Sequence, residues 1–259
     1  MHLSSASRRL SAVLFAGAIA LVLSACATNR IDPAIHADYS NLSGPQIQAS
    51  VADLAGRYRA DPRNATLGIH YAAALRAAGQ TEPAVLVMEE LMSRHGDDRA
   101  VSLAYARALT AEGRFDQALR VLDASIDPVA PHWDALSVRG AILDQRGEHQ
   151  RARQSYRQAL LLAPNEPRLH ANLGLSHSMT GELEVAEEHL RIAVSLPGAT
   201  SQIRQNLALV LGLQGRFEDA RAIYSAELPA DQVAANMDYI RAMLTQQDRW
   251  QAIRGDTVG

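Results

Sequence analysis

Cysteine is almost missing from this chain of 259 residues: Cys26 is the only one. A single cysteine makes neither a disulfide framework nor a thiolate metal site, so Cys26 serves another purpose. Aromatic residues are only 5% and charged residues 20%, while alanine and leucine dominate, a composition that suits an all-helical protein. Charge of neither sign is in large excess. The formal net charge of −3 implies no polyanion partner such as nucleic acid. No stretch alternates with period two, so strands are not expected. The apolar run Leu10–Leu23 falls short of the ~20 residues that a transmembrane helix needs. H-E-x-x-H, paired cysteines, an EF-hand loop, G-x-S-x-G, S-x-x-K with its partners and a Walker glycine loop are all missing. No catalytic residue, metal site or cofactor is therefore expected, and the chain reads as non-enzymatic.

Polar clusters outside those motifs have plain structural readings. His170 and His177 are seven apart on one expected helix, ~10.5 Å along its axis, with no ligand between them, and His189 lies on the next. That spacing argues against a shared metal. Glu89-Glu90 and Glu187-Glu188 are neighbours that point ~100° apart on a helix, which fits solvated faces better than an acid–base dyad. Arg151, Arg153 and Arg157 form a basic stripe balanced by Glu148 and read as an exposed face. Asp97-Asp98 reads as a helix N-cap.

What is present is a period. Glycine returns every 34 residues, at Gly79, Gly113, Gly147, Gly181 and Gly215, and an alanine follows each by five, at Ala84, Ala118, Ala152, Ala186 and Ala220. The segment His132–Pro167 shows the unit most clearly. Gly147 marks a helix end where the chain reverses and φ turns positive. Gly140 and Ala152 are small where two helices press closest. Leu136, Leu143, Tyr156, Ala159 and Leu160 form an apolar stripe at helical spacing, and Pro164 stops the second helix. A 34-residue helix–turn–helix of this pattern resembles the tetratricopeptide repeat. The expected fold is all-α, one right-handed superhelical solenoid of about a dozen helices. It opens with a half-repeat, Gln46–Ala60, whose Ile47, Val51, Leu54 and Tyr58 share a face. Five full repeats follow at 65–98, 99–132, 133–166, 167–200 and 201–234. Gly68 and Ala208 depart from the repeat pattern in the first and fifth. Asp231 reads as the N-cap of a final helix that covers the solenoid's end with Val233, Met237, Ile240 and Leu244, so the solenoid spans 46–248 and a tail spans 249–259.

The N-terminus reads as an export segment. Arg8 and Arg9 precede the apolar run, and Leu23-Ser24-Ala25-Cys26 resembles the bacterial lipobox. The resemblance implies that residues 1–25 are removed as a signal peptide and that lipid is attached to Cys26, where ~0.8 kcal/mol per buried CH₂ holds the protein on a bilayer. Losing Arg8 and Arg9 takes the formal charge from −3 to −5. Ala27 is not the aspartate that favours inner-membrane retention, which points to the periplasmic face of the outer membrane. Residues 26–45 read as a tether.

The tetratricopeptide resemblance implies a concave groove lined by the first helix of each repeat. Register places Ile69, Ala73, Leu103, Arg107, Ser137, Ala141, Ala171, Leu175, Gln205 and Leu209 in it, with Met179 and Leu213 at its wall. That lining has an apolar bias and suits an amphipathic segment of a partner protein. The stretches Gln205–Ala220 and Glu227–Leu244 are similar to the C-terminal region of TadD-type lipoproteins of the Flp (tight adherence) pilus machinery. This second resemblance implies an outer-membrane pilotin or scaffold whose partner is a secretin or another pilus-apparatus protein. The alternative is a lipoprotein adaptor for peptidoglycan synthesis or outer-membrane protein assembly.

Overall fold

The computed structural model describes residue 39 and residues 42–256, with side chains to residue 245. The expected signal segment 1–25, Cys26 and most of the tether lie outside the described residues. Twelve α-helices make up the described chain, with no strand among the described residues. The order is α1 (Gly44–Ala60), α2 (Ala65–Ala77), α3 (Thr81–His95), α4 (Arg99–Ala111), α5 (Phe115–Ser125), α6 (Trp133–Gln145), α7 (His149–Leu162), α8 (Pro167–Ser178), α9 (Leu183–Ser195), α10 (Ser201–Leu213), α11 (Phe217–Glu227) and α12 (Ala230–Asp256).

Each repeat turns on the same backbone device. Gly79, Gly113, Gly147, Gly181 and Gly215 all have φ between 73° and 81°. In the middle repeat the Gly147 N–H donates to Asp144 O at 2.9 Å and the Glu148 N–H to Leu143 O at 2.8 Å. That pair of bonds is the Schellman closure, which satisfies carbonyls the helix end would leave open. The other four turns repeat it. Helix starts are set by side chains: Asn64, Asp98, Glu166 and Thr200 each accept a first-turn N–H of α2, α4, α8 and α10.

Packing follows from the small residues. Ala84, Ala118, Ala152, Ala186 and Ala220 are all fully buried, which lets the paired helices approach closely. A Cβ added at Gly140 would fall within 2.8 Å of three ring atoms of Tyr156. Gly68 is small for the same reason: Leu91 and Tyr58 occupy the space a side chain would take. The first helices of successive repeats, α2, α4, α6, α8 and α10, touch one another in sequence, whereas the second helices α3, α5, α7, α9 and α11 do not touch each other. The first helices therefore form the inner layer, and the second helices splay outside it. One apolar cluster runs from α1 to α6 and another from α8 to α12, with two small clusters between them. α12 closes the far end by burying Val233, Met237 and Ile240, with Leu244 packed beside them.

Several expectations need correction. α1 begins at Gly44, two residues before the expected start, because Gln46 reaches back to accept the Ser43 N–H at 2.8 Å and Pro45 fits the first turn. α12 begins at Ala230, so Asp231 sits inside its first turn and is not its N-cap. The helix also runs past residue 249, where the tail was expected to start. Arg153 is not on an exposed face; it is 8% exposed and donates to Ser176 O, Thr180 Oγ1 (2.9 Å) and Glu182 Oε1 (3.0 Å) of the next repeat. Glu187 is likewise drawn in by Arg191 and Arg216. Asp98 does cap α4, accepting the Ala100 N–H at 2.7 Å.

Candidate protein-binding groove

The inner layer of first helices encloses a concavity of about 680 Å³, lined by side chains of α4, α6, α8 and α10 and by the α9–α10 turn. Sequence register explains how neighbouring helices share it. Asp134, Arg168 and Gln202 are 34 residues apart, as are Val138, Asn172 and Asn206, so the same two helical positions face inward in three consecutive repeats. Pro197 and Gly198 (φ 87°) shape one rim, and Thr200 starts α10 beside them.

Polar contacts tie these residues together. The Arg168 guanidinium lies 5.2 Å from the Trp133 ring centroid, a cation–π distance, and its Nε donates to Glu166 Oε1 at 2.8 Å. Asn172 Nδ2 donates to Ser137 Oγ at 3.2 Å, and Gln202 Nε2 to Asn206 Oδ1 at 3.1 Å. Asp134 stands 3.7 Å from Arg99 Nε and accepts the Ala135 N–H at 2.9 Å. Arg107 carries the strongest electrostatic signature here. Burial, then the guanidiniums of Arg76 and Arg168, push its pKa down to about 10, against the pull of Asp134. It remains protonated at neutral pH all the same.

Of the residues that register assigned to the groove, Arg107, Ser137, Ala141 and Ala171 line this concavity. Ile69 (3% exposed) and Leu103 (0%) sit in the core cluster instead, covered where α2 and α4 press together. Ala73, Leu175, Gln205 and Leu209 are half-buried and do not line it. Met179 is exposed and Leu213 packs into the C-terminal core. Residues that sequence reasoning missed are Trp133, Asp134, Arg168, Asn172, Gln202 and Asn206, and they make the lining more polar than expected. Their 34-residue register was the signal that could have found them.

His189 lies between His170 and His177, with ring centroids 6.0 and 5.7 Å away, but no three metal-ligating side chains converge among the described residues. Buried Asp144 is held by Tyr156 Oη (3.0 Å), Ser176 Oγ (2.7 Å) and His149 Nδ1 (2.9 Å), which makes it an inter-repeat tie. No helix of the described residues is long and apolar enough to cross a membrane.

Comparison with known proteins bears on the repeat fold. The model of the tetratricopeptide repeat-like domain matches residues 34–175, and that of the tetratricopeptide repeat matches residues 172–235. The uncharacterized protein y4yS of Sinorhizobium fredii is 32% identical over 179 residues, 69% of this chain and 88% of that protein. Human protein O-mannosyl-transferase TMTC1 is 23% identical over 175 residues, 66% of this chain but only 20% of its own length. Among solved structures, the thermophilic protein TTC0263 of Thermus thermophilus superposes with a TM-score of 0.60 at 20% identity, covering 69% of this chain and all of that one. Cut9 with Hcn1 from the APC/C gives 0.59 at 20% identity, over 78% of this chain and 41% of the other. These structures share the fold.

Proposed function

Because the chain belongs to the tetratricopeptide-repeat family, we propose that it is a non-catalytic, lipid-anchored scaffold that helps assemble a Flp-type pilus at the outer membrane. Repeats of this family form protein-binding surfaces, and the observation that carries the reading here is the inner layer of first helices. It presents a continuous concavity able to take a partner segment. The finer assignment rests on the sequence. The lipobox ending in Cys26 supplies location on the periplasmic face, and the TadD-like stretches Gln205–Ala220 and Glu227–Leu244 supply the pilus connection. On this reading a segment of a secretin or another pilus-apparatus protein docks in the groove, and no cofactor beyond the lipid on Cys26 takes part.

The test is cross-linking of the lipidated protein in its native envelope, with partners identified by mass spectrometry. A secretin or other pilus-apparatus protein cross-linked near Arg107, Ser137 or Ala141 is the expected result. Recovery of peptidoglycan synthases or barrel-assembly proteins in their place would keep the scaffold and overturn the pilus role.

A further inference from the structure

α5 stops early. It ends at Ser125, whereas α7, its counterpart one repeat later, runs on through Leu160 to Leu162. The cause is Pro128, because the residue before a proline avoids helical backbone, and Ile126 is already extended, with ψ at 116°. The Asp127 carboxylate then accepts the Val129 N–H at 2.8 Å and turns the chain. Residues 126–132 make the longest connection between the described helices. The missing turn leaves the end of α7 uncovered: Leu161 is 85% exposed and Leu162 48%. Between them and the connection lies a trough of about 520 Å³, whose apolar wall is Ile126, Pro128, Pro131, Leu136, Leu161 and Leu162. It uses a different face of α6 from the concavity: Leu136 and Arg139 line the trough, Ser137 and Ala141 the concavity.

Asp123, Arg139 and Gln158 supply the polar part of the lining. Arg139 Nε is buried without a hydrogen bond, and its ion-pair partner is the Asp123 carboxylate, 3.3 Å away. A buried donor in that state calls for an acceptor. Asp123 repels a free carboxylate there, but not the neutral carbonyl of an ester or amide. A peptide fits poorly, because its backbone brings an N–H and a C=O at every residue and the apolar wall answers neither. A methylene takes about the volume of a water molecule, ~30 Å³, so the trough has room for about 16 of them. We propose that the trough binds one acyl chain of an ester- or amide-linked lipid, with the carbonyl at Arg139 and the tail along Leu136, Leu161 and Leu162. This site is independent of whether the concavity docks a partner segment.

The experiment holds the full-length protein in a fluorinated surfactant, whose chains do not mix with hydrocarbon, and measures binding of tritiated monoacylglycerols by equilibrium dialysis. One saturable site is expected. Affinity should tighten about twofold with each added methylene, since a trough open on one side removes about half of each from water, and should level off near 16 carbons, the length that fills the trough at ~30 Å³ per methylene. The ether analogue of the same length, which lacks the carbonyl, should bind at least fivefold more weakly, and Arg139→Met should erase that difference. Leu161→Glu and Leu162→Glu change exposed residues, so the helical circular dichroism should stay the same while binding falls at least tenfold. Ala141→Phe, on the other face of α6, should leave lipid binding unchanged. Binding without a plateau in chain length, or binding that both glutamate variants retain, is partition into surfactant and overturns the proposal. An ester preference that survives Arg139→Met overturns the part given to Arg139. If no lipid binds and the protein instead self-associates until Leu161→Glu makes it monomeric, the trough is an interface between copies and the proposal falls.

Discussion

Gly140 and Gly147 are seven residues apart on the same repeat, yet they are glycines for different reasons. At Gly140 the constraint is space, because the Tyr156 ring lies where a Cβ would go, and that ring is anchored by its hydroxyl to buried Asp144. At Gly147 the space is open and the constraint is φ, at 78°. Gly140→Ala should therefore cost roughly 1–3 kcal/mol through overpacking, and Gly147→Ala about 1–2 kcal/mol through left-handed backbone strain. Adding Tyr156→Phe to each separates the causes in denaturant melts: a freed ring tolerates Gly140→Ala better and does nothing for Gly147→Ala. Equal responses in both backgrounds would contradict the assignment. A second residue-scale effect concerns pH. Burial first, then repulsion from His177 and His170, with Arg157 adding to it and Glu188 opposing, holds the His189 pKa below its ordinary value. A folded pKa below the unfolded one means that the unfolded chain binds the extra proton. The stability involved is complete above about pH 6.5 and is lost as pH falls from there toward the folded pKa. The melting temperature should drop between pH 7.5 and 5.5, and His189→Leu should flatten that drop; an unchanged pH profile in the variant would refute the role given to His189.

At the scale of the element, α12 carries the most separable task. It seals the last repeat with Val233, Met237 and Ile240, and Ile240 rests directly over Gly212. A solenoid is held by nearest-neighbour interfaces, so damage at one end spreads through adjacent repeats before distant ones. Ile240→Asp places a charge in that interface and should cost more than about 3 kcal/mol locally. Hydrogen exchange should show lost protection in α10 and α11 first, with α2 to α5 still protected; uniform loss across all helices would show a single cooperative unit instead. Helix placement was the most legible part of the sequence. The glycine–alanine register sets repeats at residues 65, 99, 133, 167 and 201, and α2, α4, α6, α8 and α10 begin at those residues. Local chemistry suffices there, since a positive-φ glycine, a capping side chain and an apolar stripe act within one turn. Side-chain facing was less legible. Arg153 looks like part of a solvent stripe until the next repeat places Thr180 and Glu182 over it. Ile69, Leu103, Ser137 and Ala171 share a register position; Ile69, Leu103 and Ala171 are all buried and only Ser137 is half-buried, yet the concavity borders Ser137 and Ala171 and not the other two. Both facts depend on how repeats stack, which no single repeat encodes.

At the scale of the whole molecule, the proposal divides the chain into an address and a reader. The address is the lipid proposed on Cys26, and the reader is the solenoid, whose apolar core begins in α1 at Val51 and is completed by α12. Because the core draws on residues well beyond Cys26, the two parts are separable by mutation. Cys26→Ser should move the protein out of the outer-membrane fraction and abolish labelling by radioactive palmitate. The melting temperature of the solenoid, compared in the same detergent, should stay the same. One acyl chain alone binds a bilayer weakly, at about 10⁴ M⁻¹, so stable retention requires the several chains of a lipoprotein modification. Partial release on mild washing would then indicate incomplete acylation. Full retention of Cys26→Ser in the outer membrane would remove the lipid from the mechanism.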